Sequence, residues 1–182
     1  ARRLEVDRDV PQDALYMSFH MGGRADADYP NHDLLTDVLS LGKSSRLYRK
    51  LVQEKQLFTD LNAYVMGESD PSLMTISGKL NSGISFSDAE DAIWNEIEAL
   101  KASVSADELN KIRNQVLSQQ EFGQMSILNK AMSLAFNELL GDANRINTEV
   151  ERYLSVSESD ITATAGKVLV PSNCSTLRYI SK

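Results

Sequence analysis

The stretch LLTDVLSLGKSSRLYRKLVQEKQLFTDLNA, residues 34–63, decides the fold. Leu34, Leu35, Val38 and Leu39 fall at helical spacing before the turn Gly42-Lys43-Ser44-Ser45, and Leu47, Leu51 and Val52 do so after it. That spacing predicts two amphipathic helices meeting at Gly42 with their apolar faces toward one core. Ser44 or Ser45 is expected to cap the second helix. Leu61, Ala63 and Val65 then alternate with Asp60, Asn62 and Tyr64, so the second helix runs on into a strand.

Upstream, Leu15, Met17, Phe19 and Met21 alternate with Tyr16, Ser18 and His20, the period-two pattern of a half-buried first strand. Gly22-Gly23 breaks it, and Pro30 suits a first helical turn. Downstream, the break at residues 67–71 and the Thr-, Ile- and Ser-rich run 73–80 predict an antiparallel hairpin.

The chain then turns helical. Ser87 with Glu90, Ser105 with Glu108 and Ser157 with Asp160 match the Ser-x-x-acid start signal, in which the hydroxyl accepts from an orphan backbone N–H. Ala89, Ile93, Ile97 and Leu100 make one apolar stripe; Leu109, Ile112 and Val116 make the next. Gly123 marks an expected interruption, after which Ile127, Ala131, Leu134 and Ala135 carry another face up to a Gly141 cap. A shorter helix holds Ile146, Val150 and Tyr153, and a last one holds Ile161, Ala165 and Val168 before a terminal strand at 176–180. The order predicts an α+β fold: one domain, residues 1–182, in two layers, with helices on one face of a mostly antiparallel sheet.

With 182 residues, 42% hydrophobic and 25% charged, the chain is long and apolar enough for a substantial core. A net charge of −7 argues against a general nucleic-acid surface, which needs clustered Lys and Arg. No run approaches the ~20 apolar residues of a membrane span. One cysteine, Cys174, excludes an internal disulfide and leaves the compartment open. The start at Ala1-Arg2-Arg3, without Met, suggests a processed product or a piece of something longer.

Hydrolytic chemistry is poorly provided for. A zinc site needs converging ligands, but His20 and His32 fall on different predicted elements with no second ligand one turn away. They read as a strand histidine and a pre-helix loop histidine. Cys174 has no neighbouring base to activate it. Gly42-Lys43-Ser44 fails as a phosphate loop, because Asp37 stands where its first glycine should and a helix, not a strand, precedes it. The acids Asp88, Glu90, Asp91, Glu96 and Glu98 are expected on solvated helical faces. Residues 121–125 read as a helix junction, or else as a hinge or chamber-lining segment.

Residues 34–65 resemble the glycine turn and following helix of the insulinase/pitrilysin/processing-peptidase family, whose pattern runs close to LLxxxLGGGxSSRLxxxLREKxGLAYxVxA. Leu34, Leu35, Leu41, Gly42, Ser44, Ser45, Arg46, Leu47, Leu51, Glu54, Leu57 and Ala63 carry the match. The resemblance implies the processing-peptidase metallohydrolase fold. It also implies paired homologous domains, one holding zinc through His-x-x-Glu-His and the other holding none. This chain lacks the motif, so it resembles the inactive C-terminal half: no cofactor of its own, zinc in its partner, and a peptide enclosed between them.

By the same resemblance Gly42, Lys43, Ser44, Ser45 and Arg46 form a loop facing the substrate chamber. The partner domain's peptide-contacting Arg and Tyr would fall at Val52 and Thr59, neither of which can replace them; Arg49 and Tyr64 are the nearby substitutes. Expected partners are the zinc-bearing domain, peptide or unfolded polypeptide, and a second copy of this chain. The bacterial periplasm or cytoplasm is the expected compartment. An alternative is a proteolytically silent scaffold, like the core subunits of respiratory complexes.

Overall fold

A computed structural model describes all of residues 1–182. Five strands form one sheet, β1 (Arg2–Arg8), β2 (Ala14–Met21), β3 (Phe58–Val65), β4 (Ser72–Leu80) and β5 (Cys174–Ser181), in the order β1-β5-β2-β4-β3. Only β1 and β5 run parallel; the other pairings are antiparallel. The helices are α1 (Tyr29–Ser40), a π-helical segment (Tyr48–Glu54), α2 (Phe86–Ala102), α3 (Ala106–Gln124), α4 (Ile127–Leu139), α5 (Arg145–Leu154) and α6 (Glu158–Val168). This is the expected α+β architecture.

Register explains the two layers. Leu15, Met17 and Phe19 of β2 stand opposite Gly78, Ile76 and Met74 of β4, so their side chains share one face. That face meets α1, α2 and α6 in a core of 32 buried residues, with Phe19 edge-on to Trp94 at 5.9 Å. Burying such side chains contributes roughly 1.5–3 kcal/mol each. Gly78 is required there: a Cβ would lie 2.7 Å from both Asp60 O and Leu61 Cδ1. The opposite face carries Tyr16, Ser18 and His20 of β2, Ser77 of β4, and Asn62 and Tyr64 of β3, and it has no covering layer.

Several local expectations shift. β1 was not legible as a strand, because its apolar residues are inverted. Register places Arg3 and Glu5 on the helical side, where Arg178 bridges Glu5 and Glu90 at 2.7 Å each and Arg3 reaches Glu90 at 3.1 Å, while Leu4 is 60% exposed. Glu90 and Glu96 are therefore buried, not solvated; Lys50 Nζ lies 2.9 Å from Glu96 Oε2, an ion pair without good hydrogen-bond alignment. With Glu90 engaged by arginines, α2 starts two residues early, on Ser85, which accepts from Asp88 N. Ser105 and Ser157 form capping boxes with Glu108 and Asp160 as expected.

His32 lies inside α1 and is buried, its Nδ1 2.9 Å from Asp28 O. Gly123 sits within α3; the break comes at Met125, and Ser126 caps α4. The apolar face expected to bury α4 is not buried at all: Ile127 is 88% exposed and no α4 residue is buried. Gly141 closes α4 as anticipated, with φ +107° and its N–H donating to Glu138 O.

Candidate functional site

The Gly42–Arg46 turn is built to be held. Gly42 takes φ +77°, which only glycine adopts freely. Ser45 is buried and donates its hydroxyl to Gly42 O at 2.7 Å. It therefore closes the turn and caps nothing; the π-helical segment that follows has no side-chain cap. Ser44 contacts Lys111 of α3. Arg46 grips Glu108 with two hydrogen bonds, 2.8 and 2.7 Å, and donates to Ser103 O at 2.9 Å. That bidentate pairing holds the Glu108 carboxyl down to about 2. Gly42, Lys43 and Ser44 remain exposed at the tip.

The other four residues singled out by the sequence are spread apart. Arg49 is exposed on the π-helical segment, 3.8 Å from Glu54. Val52 packs partly buried against the core. Thr59 is exposed on β3 and donates to Lys79 O at 3.3 Å. Tyr64 stands on the uncovered sheet face, 43% exposed. No hydrogen bond joins Arg49 to Tyr64.

A second site was not anticipated. A cavity of about 420 Å³ opens where α1, α3, α4 and α5 converge, lined by Arg24, Asp33, Asp37, Glu149 and Tyr153 with a polar fringe from α3 and α4. Arg24 pairs with Glu149 at 2.7 Å, donates to Tyr153 Oη at 3.3 Å, and stacks on the Tyr29 ring at 4.3 Å. Tyr153 donates to Asp33 Oδ2 at 2.5 Å. Burial, reinforced by the Asp33 charge, raises the Tyr153 phenol, and burial also raises Asp33.

Asp37, one helical turn on, has neither a hydrogen bond nor an ion pair, and burial with the Asp33 charge pushes its carboxyl up to about 7. Asp33 and Asp37 at i, i+4 were the available signal, two acids on one face of an apolar helix. Arg24, in a loop, gave none. Elsewhere, His20 is exposed on β2, and Cys174 is buried, its thiol raised by burial, beside Thr176. No group of three or more His, Cys, Asp or Glu converges to hold a metal ion.

The sequence pattern of the peptidase M16 inactive domain matches residues 2–116. The chain belongs to that family. The inactive-domain fold recurs in a protease from Helicobacter pylori (TM-score 0.91, 21% identity), with 97% of this chain covering 43% of that one. It recurs in an inactive peptidase domain from Bordetella parapertussis (0.85, 23%), over 97% of this chain and 95% of that one. A chain of Complex III2 from Candida albicans also matches (0.81, 15%), over 97% and 45%. No curated protein matches by sequence. The M16 inactive domain described here thus spans less than half of the Helicobacter chain. No helix in it is long and apolar enough to cross a membrane.

Proposed function

We propose that this M16 inactive domain is the non-catalytic half of a zinc metallopeptidase, pairing with a zinc-bearing homologous domain to enclose a peptide substrate. The observation that carries the reading is the uncovered face of the sheet. Tyr16, Tyr64 and Tyr179, with Ser18, Ser77 and Ser175 between them, form a broad wall of hydroxyls and rings on the side opposite the helices. Such a wall binds extended polypeptide through side-chain hydrogen bonds and ring contacts without reading much sequence. The exposed tip Gly42–Ser44 and the side chains of Arg49 and Tyr64 are the proposed peptide contacts. The residues at the positions of the family's Arg/Tyr pair, Val52 and Thr59, contribute packing and a strand hydrogen bond instead. The zinc belongs to the partner domain.

The test is reconstitution. Mixed with its zinc-bearing domain, this chain should raise peptide cleavage, and Tyr16→Ala with Tyr64→Ala should raise KM without unfolding the domain. Full cleavage by the zinc-bearing domain alone would overturn the reading. The silent-scaffold alternative is favoured by Val52 and Thr59, and a complex that forms yet cleaves no peptide would decide for it.

A further inference from the structure

Helix α4 is turned inside out. Its polar residues Asn129, Lys130, Ser133 and Asn137 line the cavity over α1 and α3, while Leu128, Met132, Ala135 and Leu139, at i, i+4, i+7 and i+11, share another side of the helix. All four are exposed. Phe122 and Met125 at the α3–α4 junction, with Ile127, Leu128, Met132 and Leu139, are between 63% and 88% exposed. At roughly 200 Å² per large side chain, these six present on the order of 900 Å² of apolar surface. Typical monomers show a largest patch of about 300–600 Å²; a stable interface takes about 800 Å² from each partner.

Little in the chain covers this side: the core of 32 residues takes no member from 113–152, and α4 packs mainly beside α3 and α5. Rotating α4 to bury its leucines would put Asn129, Ser133 and Asn137 in solvent and leave Asp33 and Asp37 facing hydrocarbon, which is unfavourable for buried carboxyls.

We propose that a second copy of this chain occupies the α4 face, the two α4 helices packing antiparallel about a two-fold axis. The α4 stripe supplies about half of the area a stable dimer requires, and Phe122, Met125 and Ile127 beside it bring the exposed apolar surface to that size. The stripe is also self-complementary: centred between residues 133 and 134, the two-fold sets Leu128 against the partner's Leu139 and Met132 against the partner's Ala135, a large residue facing a small one. Because each copy carries a net charge of −7, long-range repulsion opposes the contact and salt relieves it. This goes beyond the peptidase reading and does not depend on it.

The test needs this chain alone. Sedimentation equilibrium and light scattering up to about 100 µM should give a dimer of the 20.2 kDa chain, tightening as salt rises. Leu128→Lys with Leu139→Lys should be monomeric with an unchanged circular-dichroism spectrum, and so should Leu128→Glu with Leu139→Glu. Mixing the two variants should restore a dimer, since each Lys then meets a Glu. A wild-type chain that is monomeric throughout overturns the proposal, including the case where α4 is covered only by a zinc-bearing homologue. A dimer undisturbed by either double variant overturns it as well, and so does a mixture that stays monomeric. None of these outcomes bears on reconstituted cleavage, which tests the peptidase reading separately.

Discussion

Replacing Asp37 by Asn should stabilise this domain, and more so as pH rises. Asp37 lines the cavity one turn after Asp33 without a hydrogen bond or ion pair, and its carboxyl is pushed from 3.8 up to about 7 by burial and the Asp33 charge. Below the unfolded value both states hold the proton and nothing is lost. Between the two values the unfolded chain releases a proton that the folded chain keeps, so stability falls as pH rises through that window and levels off above it.

At about 1.4 kcal/mol per pKa unit the full penalty is roughly 4 kcal/mol. The cavity is open to water, which relaxes the cost, so about 1–2 kcal/mol is expected, or about 2–8 °C in Tm for a domain of this size. Urea titrations of wild type and Asp37→Asn at acidic and mildly alkaline pH measure it. The gain should be near zero in acid and fully present in mild alkali. The repulsion from Asp33 that the variant relieves is already part of the Asp37 shift. A variant no more stable than wild type in alkali, or a gain independent of pH, refutes the reasoning.

Three further outcomes follow from the same geometry. Arg46→Lys should cost stability almost as Arg46→Ala does, about 1–2 kcal/mol by urea titration, because the two-pronged grip on Glu108 needs a guanidinium. Since that grip holds Glu108 near 2, its contribution is present above the ordinary carboxylate range and lost as pH falls; Glu108→Gln should remove one step from the acid-unfolding curve. Gly78→Ala should destabilise by more than Gly42→Ala in thermal melts. The first drives a Cβ to 2.7 Å from Asp60 O, while the second meets open space and costs only about 1 kcal/mol of left-handed strain.

Where burial followed a clean period, the sequence sufficed. The stripe Ala89, Ile93, Ile97 and Leu100 is buried throughout, and Leu15, Met17 and Phe19 all face the core. Capping boxes at Ser105 and Ser157 were readable because the hydroxyl and the acid lie within four residues of each other. The misses share one cause, polar groups satisfied by partners distant in sequence. Glu90 looked solvated because Arg178 lies 88 residues away, and β1 looked formless because its inward side chains are charged and find that same cluster. The cavity site is the extreme case. Arg24, Asp33 and Tyr153 come from a loop and two helices, and no local pattern joins them.

The same division shows in how stability is distributed. The core draws on the sheet, α1, the π-helical segment, α2, the first half of α3, Tyr153 of α5 and α6, and takes no fully buried residue from 113–152, where Val116 alone packs against it partly buried. That region holds the polar cavity beneath α4 and the apolar stripe above it, so its order depends on ion pairs and on whatever covers the stripe. Backbone amides of α4 should therefore exchange with solvent far faster than those of β2 or β4 in dilute monomer, by a factor of about a thousand if some 4 kcal/mol of local stability separates them. They should slow at concentrations where the chain dimerises, while β2 and β4 stay unchanged. Hydrogen-exchange mass spectrometry at two protein concentrations reads both effects. α4 amides as protected in dilute monomer as those of β2 would mean that the helix needs no covering, and that the exposed stripe is stable as it stands.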